Sequence, residues 1–566
     1  YRNYRLWRVA IPLLPDETWD SPLPYMAHCS MYWIFIVKKN RLINPQNKTD
    51  MFKNTLYTLL FFMAAGLLYG CKKEVEGSTA NLAPLQPANQ DANAGNWKPI
   101  LLTGPTEFAV AAPIATNSPE YIAQLNEIKT WQSAISDEEK KIVNYWSAGA
   151  VLRWNEIMRE LVAKHNLAPY QNADGTYPIP SATNPLAYPQ FPFSNPPYAA
   201  RAYAYVAAAQ YDALVAAWYY KAQYNRPAPY TVDPTIKPLI PASTLPSYPS
   251  EDAVVIGASV ELLKLLFPGD QDFIQQKAEE HRRARLIAGA NVRSDIEAGE
   301  QLGRSVAQKF VTRARGDRAG AAVGNQTLWT QLENDAVARG EVPWISQDSP
   351  KRPPMLPAFG KVRTFLFDSL TMVTQVRPGP PPSTGSAQFK KETEEILDFS
   401  KNATRERIRI VHFWADGTGT YTPPGHWNAI AADDFIKQNF SEVRWARNLA
   451  LLNMAMMDAA IACWDAKFTY FNPRPSQVDP RIKTLTGLPN FPSYISGHST
   501  FSAAAATILG HILPARASDY TNMANEASIS RMYGAIHYRS DCEKGLETGN
   551  KVGAFAIARA RTDGAE

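Results

Sequence analysis

Apolar residues recur three and four positions apart through most of this chain, as in Tyr198 to Tyr220, Val254 to Phe267, Leu449 to Trp464 and Phe501 to Leu513. That spacing lays one apolar stripe along a helix, and the alternating runs that mark strands are scarce, so the pattern predicts an all-α protein. Arg315 to Ser386 breaks it: Gly-rich first and then Pro-rich at Arg377-Pro378-Gly379-Pro380-Pro381-Pro382, the segment is read as a long connection folded over a cleft.

The pattern is written twice. An offset of 246, which carries Lys221 onto Lys467, aligns residues 285–317 with 531–563 at 12 identities in 33 positions, where about 2 would arise by chance. The same offset pairs Pro246-Ser247-Tyr248 with Pro492-Ser493-Tyr494, Asp212 with Asp458, Trp218 with Trp464 and Gly303 with Gly549. A looser match sets Ile142-Val143 and Tyr145-Trp146 against Ile410-Val411 and Phe413-Trp414. Two duplicated helical bundles packed together are expected, an N-terminal one over 118–320 and a C-terminal one over 387–566, joined by 321–386.

The first residues follow another pattern. Residues 1–50 have no sustained period and are read as an upstream segment outside the working protein. Residues 51–70 pair Lys53 with an apolar run, Leu56 to Leu68, too short to span a bilayer, and end in Leu68-Tyr69-Gly70 before Cys71. This resembles a bacterial lipoprotein signal, which implies acylation of Cys71, a membrane lipid anchor and a place in the cell envelope, periplasmic or surface-facing. Residues 71–117, polar and Pro-rich at first, are expected to act as a tether.

Composition narrows the function. Lys plus Arg number 58 against 53 Asp plus Glu, a net +5 with no basic stripe, so nucleic acid is not expected as a partner. Four cysteines without C-x-x-C spacing exclude a cysteine-held metal from the expectation.

Candidate chemistry comes from where the halves differ. Ser250-Glu251-Asp252 in the first half faces Ser496-Gly497-His498 in the second, and Asn291 faces His537. Ser496-Gly497-His498 stands at an expected helix start, where free backbone N–H groups favour an anion. Lys467 closes one helix and Arg474 follows on a turn held by Pro473 and Pro475, while Arg531 and His537, six apart, are expected on neighbouring helix faces. Asp541, one turn beyond His537, is placed to orient its ring or to serve structure. Three cations, a helix N-terminus, a hydroxyl and two imidazoles suit a tetrahedral oxyanion. In the first half, Glu251 and Asp252 are expected to pair with Lys221, Arg226 or Arg285 as a salt-bridged relic.

Lys467-x6-Arg474-Pro475, Ser496-Gly497-His498 and Arg531-x5-His537 resemble the three-part signature shared by type 2 phosphatidic acid phosphatases and vanadium-dependent haloperoxidases. The resemblance implies Lys467, Arg474, Ser496, Gly497 and Arg531 as an oxyanion cradle. It makes His537 the vanadate ligand or the phosphoryl-accepting nucleophile, and His498 the general acid and base. One departure is Ile495, where the family commonly has proline. Trp464 and Phe491 resemble the aromatic pocket wall of the chloroperoxidase branch. Asp416 resembles an acidic residue which the haloperoxidases pair with a site arginine or histidine, and His426 is a further cleft candidate. The expected activity is halide oxidation by hydrogen peroxide with vanadate as cofactor. The alternatives are hydrolysis of a phosphate ester, which needs no cofactor, and a non-catalytic surface-binding lipoprotein.

Overall fold

The computed structural model describes residues 82–168, 171–176 and 195–566. Cys71, the segment 1–50 and the expected signal 51–70 fall outside them. Among the described residues there are helices and no strands. The first half holds α1 (Pro119–Ser133), α2 (Asp137–Ser147), α3 (Ala150–His165), α4 (Pro196–Tyr224), α5 (Glu251–Leu266), α6 (Gln271–Ile287) and α7 (Arg293–Gly316). After α8 (Gln326–Ala338), the series repeats as α9 (Ala387–Lys401), α10 (Arg405–Phe413), α11 (Thr422–Phe435), α12 (Glu442–Tyr470), α13 (Gly497–Ile512), α14 (Ala517–Tyr533) and α15 (Arg539–Ala560). The helices α4 to α7 and α12 to α15 start 246 residues apart, one after another.

The duplicated halves share one core. Helices α4 and α12, 29 residues each, are buried along most of their length and pack against each other. Alanines at 204, 208, 213 and 217 on α4 and at 455, 459, 462 and 466 on α12 are fully buried, and their small side chains allow close helix approach. By composition and length Glu442–Val478 would suit a membrane, but 94% of its apolar window is buried inside the fold. Both long helices end in a left-handed residue, Asn225 or Phe471, which turns the chain into the loop ahead of α5 or α13.

What positions the site is the contact of α13 with α15. At Gly549 a Cβ would lie 2.3 Å from the Thr500 carbonyl, and the matching Cβ at Gly303 would lie 2.2 Å from the Val254 carbonyl. This pair, kept by the duplication, is therefore a backbone contact: no side chain fits. It brings the start of α13 against the start of α15, where Ser496 N–H donates to the Asp541 carbonyl at 2.9 Å.

Two expectations change. The tether does not extend to 117, because from residue 82 the chain lies on the bundles. Trp97 and Leu102 are buried in the common core, and Asp91 is buried in an ion pair with Arg444. The connection contains a helix, α8, and its later part is strapped down: Trp344, Phe359 and Val376 are buried, and Arg377 holds Asp465.

Candidate active site

The second half builds its site around three chain reversals. Lys467 lies in the last turn of α12 and is fully buried. Its Nζ donates to the carbonyls of Pro492 (2.8 Å) and Ser493 (2.9 Å), pinning the loop before α13 to the end of α12. Arg474 caps a short helix, Pro475–Val478. Its Nε donates to the Phe491 carbonyl at 2.9 Å and its Nη1 to the Ile536 carbonyl at 2.7 Å. The loop thus has a cation at either end, and both cations face the Phe491 ring at about 5 Å.

The expected helical spacing of Arg531 and His537 does not hold. Helix α14 stops at Tyr533, Gly534 follows, and Ala535 takes a left-handed φ of 58°. Arg531 therefore sits in the last turn of α14 and His537 on the tight turn before α15. The reversal aims His537 at Arg474, whose Nη1 lies 3.1 Å from His537 Nε2, while His537 Nδ1 lies 2.9 Å from Asp541 Oδ2. Asp541 also receives Ser493 Oγ–H and the Tyr538 N–H, the latter at 3.1 Å, so one carboxylate caps α15 and orients the imidazole.

Ser496 is the N-cap of α13, and its Oγ accepts the Ser499 N–H at 3.4 Å. A Cβ added at Gly497 would meet only Phe501 at 3.9 Å and Trp464 at 4.0 Å, both ordinary contacts, so the helix start opens onto space. Two buried atoms beside it have no partner, Arg474 Nη2 and His498 Nε2. Arg531 is held by Ser530 Oγ (2.8 Å) and the Val411 carbonyl (3.1 Å).

The charges are those of a site built for an anion. Burial pushes the Lys467 ammonium below its ordinary range and lowers both Arg474 and Arg531 to about 10. Burial, then Arg531, lowers His498 to about 3, against the opposing charge of Asp416 and the Trp414 carbonyl. For His537, burial comes first, followed by the charges of Arg474, Lys467, His498 and Arg531, and its pKa falls well below the histidine range. Both imidazoles are neutral at pH 7. Burial raises the Asp541 carboxyl against the bonds from Ser493 and Tyr538. A negative ion in this space would gain hydrogen bonds now missing and relieve the repulsion among buried cations.

Trp464 and Phe491 form one wall, with ring centroids 5.0 Å apart, and Trp464 Nε1 is fixed on the Met355 carbonyl of the connecting segment. Asp416 pairs with His426, Nδ1 to Oδ1 3.1 Å, rather than directly with a residue of the cradle. Burial alone would raise the Asp416 carboxyl, but His426, His498 and Arg531 hold it below the usual range, which ties it to the site through charge. His426 is buried against Trp414 and Phe413, and Asp416 raises its pKa in spite of burial. Ser493, which donates to Asp541, is a further site residue, and its retention opposite Ser247 is the sequence signal for it.

The first half keeps the frame and loses the site. Ser250 N–H donates to the Asp295 carbonyl at 3.0 Å, as Ser496 does to Asp541. Both loops carry a cis peptide, Tyr248–Pro249 and Tyr494–Ile495, so Ile495 stands in the turn where the first half has proline. Asn291 replaces His537 and spends its side chain on the Ser247 carbonyl, Ser250 Oγ and Arg285. The relic pairs are present for two of the three cations: Glu251 lies 3.5 Å from Lys221, and Asp252 3.1 Å from Arg285. Arg226 turns instead to Asp295, at 3.1 Å.

A search of curated proteins finds no match. Among solved structures, a bacterial vanadium-dependent iodoperoxidase superposes with a TM-score of 0.51 at 23% identity, covering 72% of this chain and 95% of that one. Apo and holo bacterial vanadium-dependent chloroperoxidases give 0.45 and 0.46 at 14% and 13% identity, over 64% and 68% of this chain and 92% and 96% of theirs. Residues 448–561 match the family model described as the PAP2 superfamily. That match runs from α12 through α15 and takes in Lys467, Arg474, Ser496, His498, Arg531 and His537. Residues 448–561 are thus similar to the PAP2 superfamily, and the chain has the all-α fold also seen in the iodoperoxidase.

Proposed function

We propose that the C-terminal bundle is a haloperoxidase-type enzyme that binds vanadate and oxidises a halide with hydrogen peroxide. The observation that carries this is the neutral His537, held through Asp541 with its Nε2 toward Arg474 and set beside the unpartnered Arg474 Nη2 and His498 Nε2. These atoms fit the group: His537 Nε2 would ligate the metal, while Lys467, Arg474, Arg531, Ser496 and the Gly497 N–H would hold its oxygens. Bound vanadate supplies a Lewis-acid centre that activates peroxide toward a halide.

The chain's own residues do the rest. Asp541 accepts the Nδ1 proton of His537 and so leaves Nε2 unprotonated, its lone pair facing Arg474 Nη1. The buried cations draw electron density from whatever oxygens they hold, and they act strongly because water is excluded. His498, neutral at pH 7 with a free Nε2, takes a proton from incoming peroxide and returns it to the leaving oxygen. Trp464 and Phe491 shield that exchange from solvent. The likeness to a bacterial vanadium-dependent iodoperoxidase, a shared fold over most of both chains, supports this reading.

The match to the PAP2 family favours a second reading on the same atoms. There, His537 Nε2 attacks a phosphate monoester, the cations stabilise the transition state and His498 protonates the departing oxygen. One experiment separates the two. Vanadate-loaded protein is assayed for iodide and bromide oxidation with hydrogen peroxide, and vanadate-free protein for hydrolysis of p-nitrophenyl phosphate. Halide oxidation that disappears in His537→Ala is expected; phosphate hydrolysis alone would replace the first reading with the second. If neither activity is found and His537→Ala changes nothing, a binding lipoprotein remains.

A further inference from the structure

The chain between α10 and α11, residues 414–421, acts on the general acid and base of the site. Burial, then Arg531, lowers the His498 pKa, while the Asp416 charge and the Trp414 carbonyl oppose them. How readily His498 takes a proton therefore depends on where Asp416 stands. That carboxylate, 7% exposed, meets His426 Nδ1 at 3.1 and 3.2 Å, and the His426 ring packs on Trp414 and Phe413 with centroids 4.8 and 5.2 Å apart.

Local sequence does not put Asp416 there. Its φ is +44°, in the left-handed region that a residue with a Cβ enters at a cost, and Gly417 and Gly419 beside it leave the segment many other conformations. The conformation is selected from the first half. Asn166, at the end of α3 and 9% exposed, donates from Nδ2 to the carbonyls of Gly417 (2.9 Å) and Thr420 (3.0 Å), and its own backbone carbonyl accepts the Gly419 N–H at 2.7 Å. Thr420 adds its N–H (3.1 Å) and Oγ1–H (2.7 Å) to the same Gly417 carbonyl.

Duplication supplies the control. The offset that carries Trp154-Asn155 onto Trp427-Asn428 carries Asn166 onto Asn439, just beyond α11. Asn439 also gives its backbone carbonyl to a passing segment, accepting the Ala88 N–H at 2.9 Å, but it is exposed. The carbonyl bond is thus common to both halves, and the two side-chain bonds to the segment of Asp416 distinguish Asn166.

We propose that Asn166 is a positioning residue for the site in the other half, holding Asp416 against His426, where its charge acts on His498. The inference rests on the acid and base role given to His498 above, which is the same for halide oxidation and for phosphate hydrolysis. Without the two side-chain bonds the left-handed turn relaxes, the carboxylate leaves His426, and His498 loses a charge that favours its protonated form. The cradle is spared, because Lys467, Arg474 and Arg531 make their hydrogen bonds to other segments, at Pro492 and Ser493, at Phe491 and Ile536, and at Val411 and Ser530. Asn166 thus bears on proton transfer and not on holding the oxyanion.

The test is a double-mutant cycle on the full chain: Asn166→Ala, Asp416→Asn and the two together. kcat is measured for whichever activity the parent shows, vanadate affinity by vanadium-51 NMR, and the imidazole signals by nitrogen-15 NMR of histidine-labelled, vanadate-free protein. Each single variant should lower kcat about tenfold, part of the about 100- to 10,000-fold that general acid–base catalysis contributes. The double variant should lower it no further than Asp416→Asn alone, because the two residues act in series. Vanadate affinity should stay at the parental value, and the His426 signals should move in Asn166→Ala while those of His537 stay. Asn166→Asp, which keeps the size but puts an oxygen where the two donors were, gives a second cycle if the alanine variant fails to fold. Additive losses, a vanadate affinity that falls with kcat, or His426 signals unmoved in the Asn166 variants would overturn the proposal. A parent with neither activity would defeat the proposed function instead, and the His426 signals would then decide the positioning role alone.

Discussion

Asp541 Oδ2 gathers the Ser493 hydroxyl, the Tyr538 N–H and His537 Nδ1, whereas Asp295 at the matching place takes the Val292 N–H at 2.9 Å and pairs with Arg226. Helix capping is common to both. Orientation of a ring belongs to Asp541 alone, since Asn291 stands where His537 would be. Removing each carboxylate separates the two roles. Asp541→Ala is expected to weaken vanadate binding by about 10–100-fold, as losing the group that orients a metal-binding histidine does. Asp295→Ala should cost about 3–5 kcal/mol of stability by leaving Arg226 buried and unpaired, and it should leave vanadate affinity unchanged. Vanadium-51 NMR titration gives the affinities and thermal unfolding the stabilities. Equal loss of affinity in both variants would reduce Asp541 to a cap.

Between helices, the paired aspartates of the central pair α4 and α12 act as clamps on passing backbone. Asp212 accepts the N–H groups of Ile100, Leu101 and Leu102, and Asp458 those of Phe365 and Leu366. Burial raises Asp212 to about 6 and Asp458 to about 7, against the pull of these bonds. Asp458→Ala would strand two N–H groups at about 1–3 kcal/mol each and loosen the strap that begins at Phe359, the ring packed on Trp464. Trypsin should then cut at Lys361 or Arg363 at least tenfold faster than in the parent, with Asp458→Asn intermediate because its amide oxygen still accepts. Cleavage at the parental rate would mean that the apolar contacts of Phe359 and Phe365 hold the strap by themselves. The offset of 246 revealed these aspartates in the sequence but not their task, since backbone donors carry no side-chain signature. The ion pairs Arg201–Asp317 and Arg447–Asp563, both 2.7 Å, obey the same offset. Helix periodicity was legible because burial dictates it. The break after Tyr533 was not, because Ala535, a strong helix former, takes the left-handed position of a turn closed by backbone bonds such as Ile536 N–H to the Arg531 carbonyl, and these carry no side-chain signature. The packing of residues 82–117 was hidden too: Trp97 and Asp91 are isolated anchors within a composition otherwise that of a linker.

For the whole molecule, duplication yields two related frames and one cradle. Arg474 corresponds by offset to Ala228, His537 to Asn291, and Gly497-His498 to Glu251-Asp252, so the first half lacks one cation and both imidazoles. Lys221 and Arg285 remain there, each committed to a carboxylate. A second oxyanion would have to sit against those carboxylates. Two like charges about 4 Å apart repel by about 4 kcal/mol at the effective dielectric of a partly buried site, which lowers affinity by about a thousandfold. Equilibrium dialysis against vanadate should therefore find one vanadium per chain. His537→Ala should lower that number toward zero at micromolar vanadate, and Asn291→His should not raise it to two, because the carboxylates and Ala228 remain. Two vanadium atoms per chain in the parent protein, or one retained in His537→Ala, would place the oxyanion somewhere other than the cradle of α12 to α15.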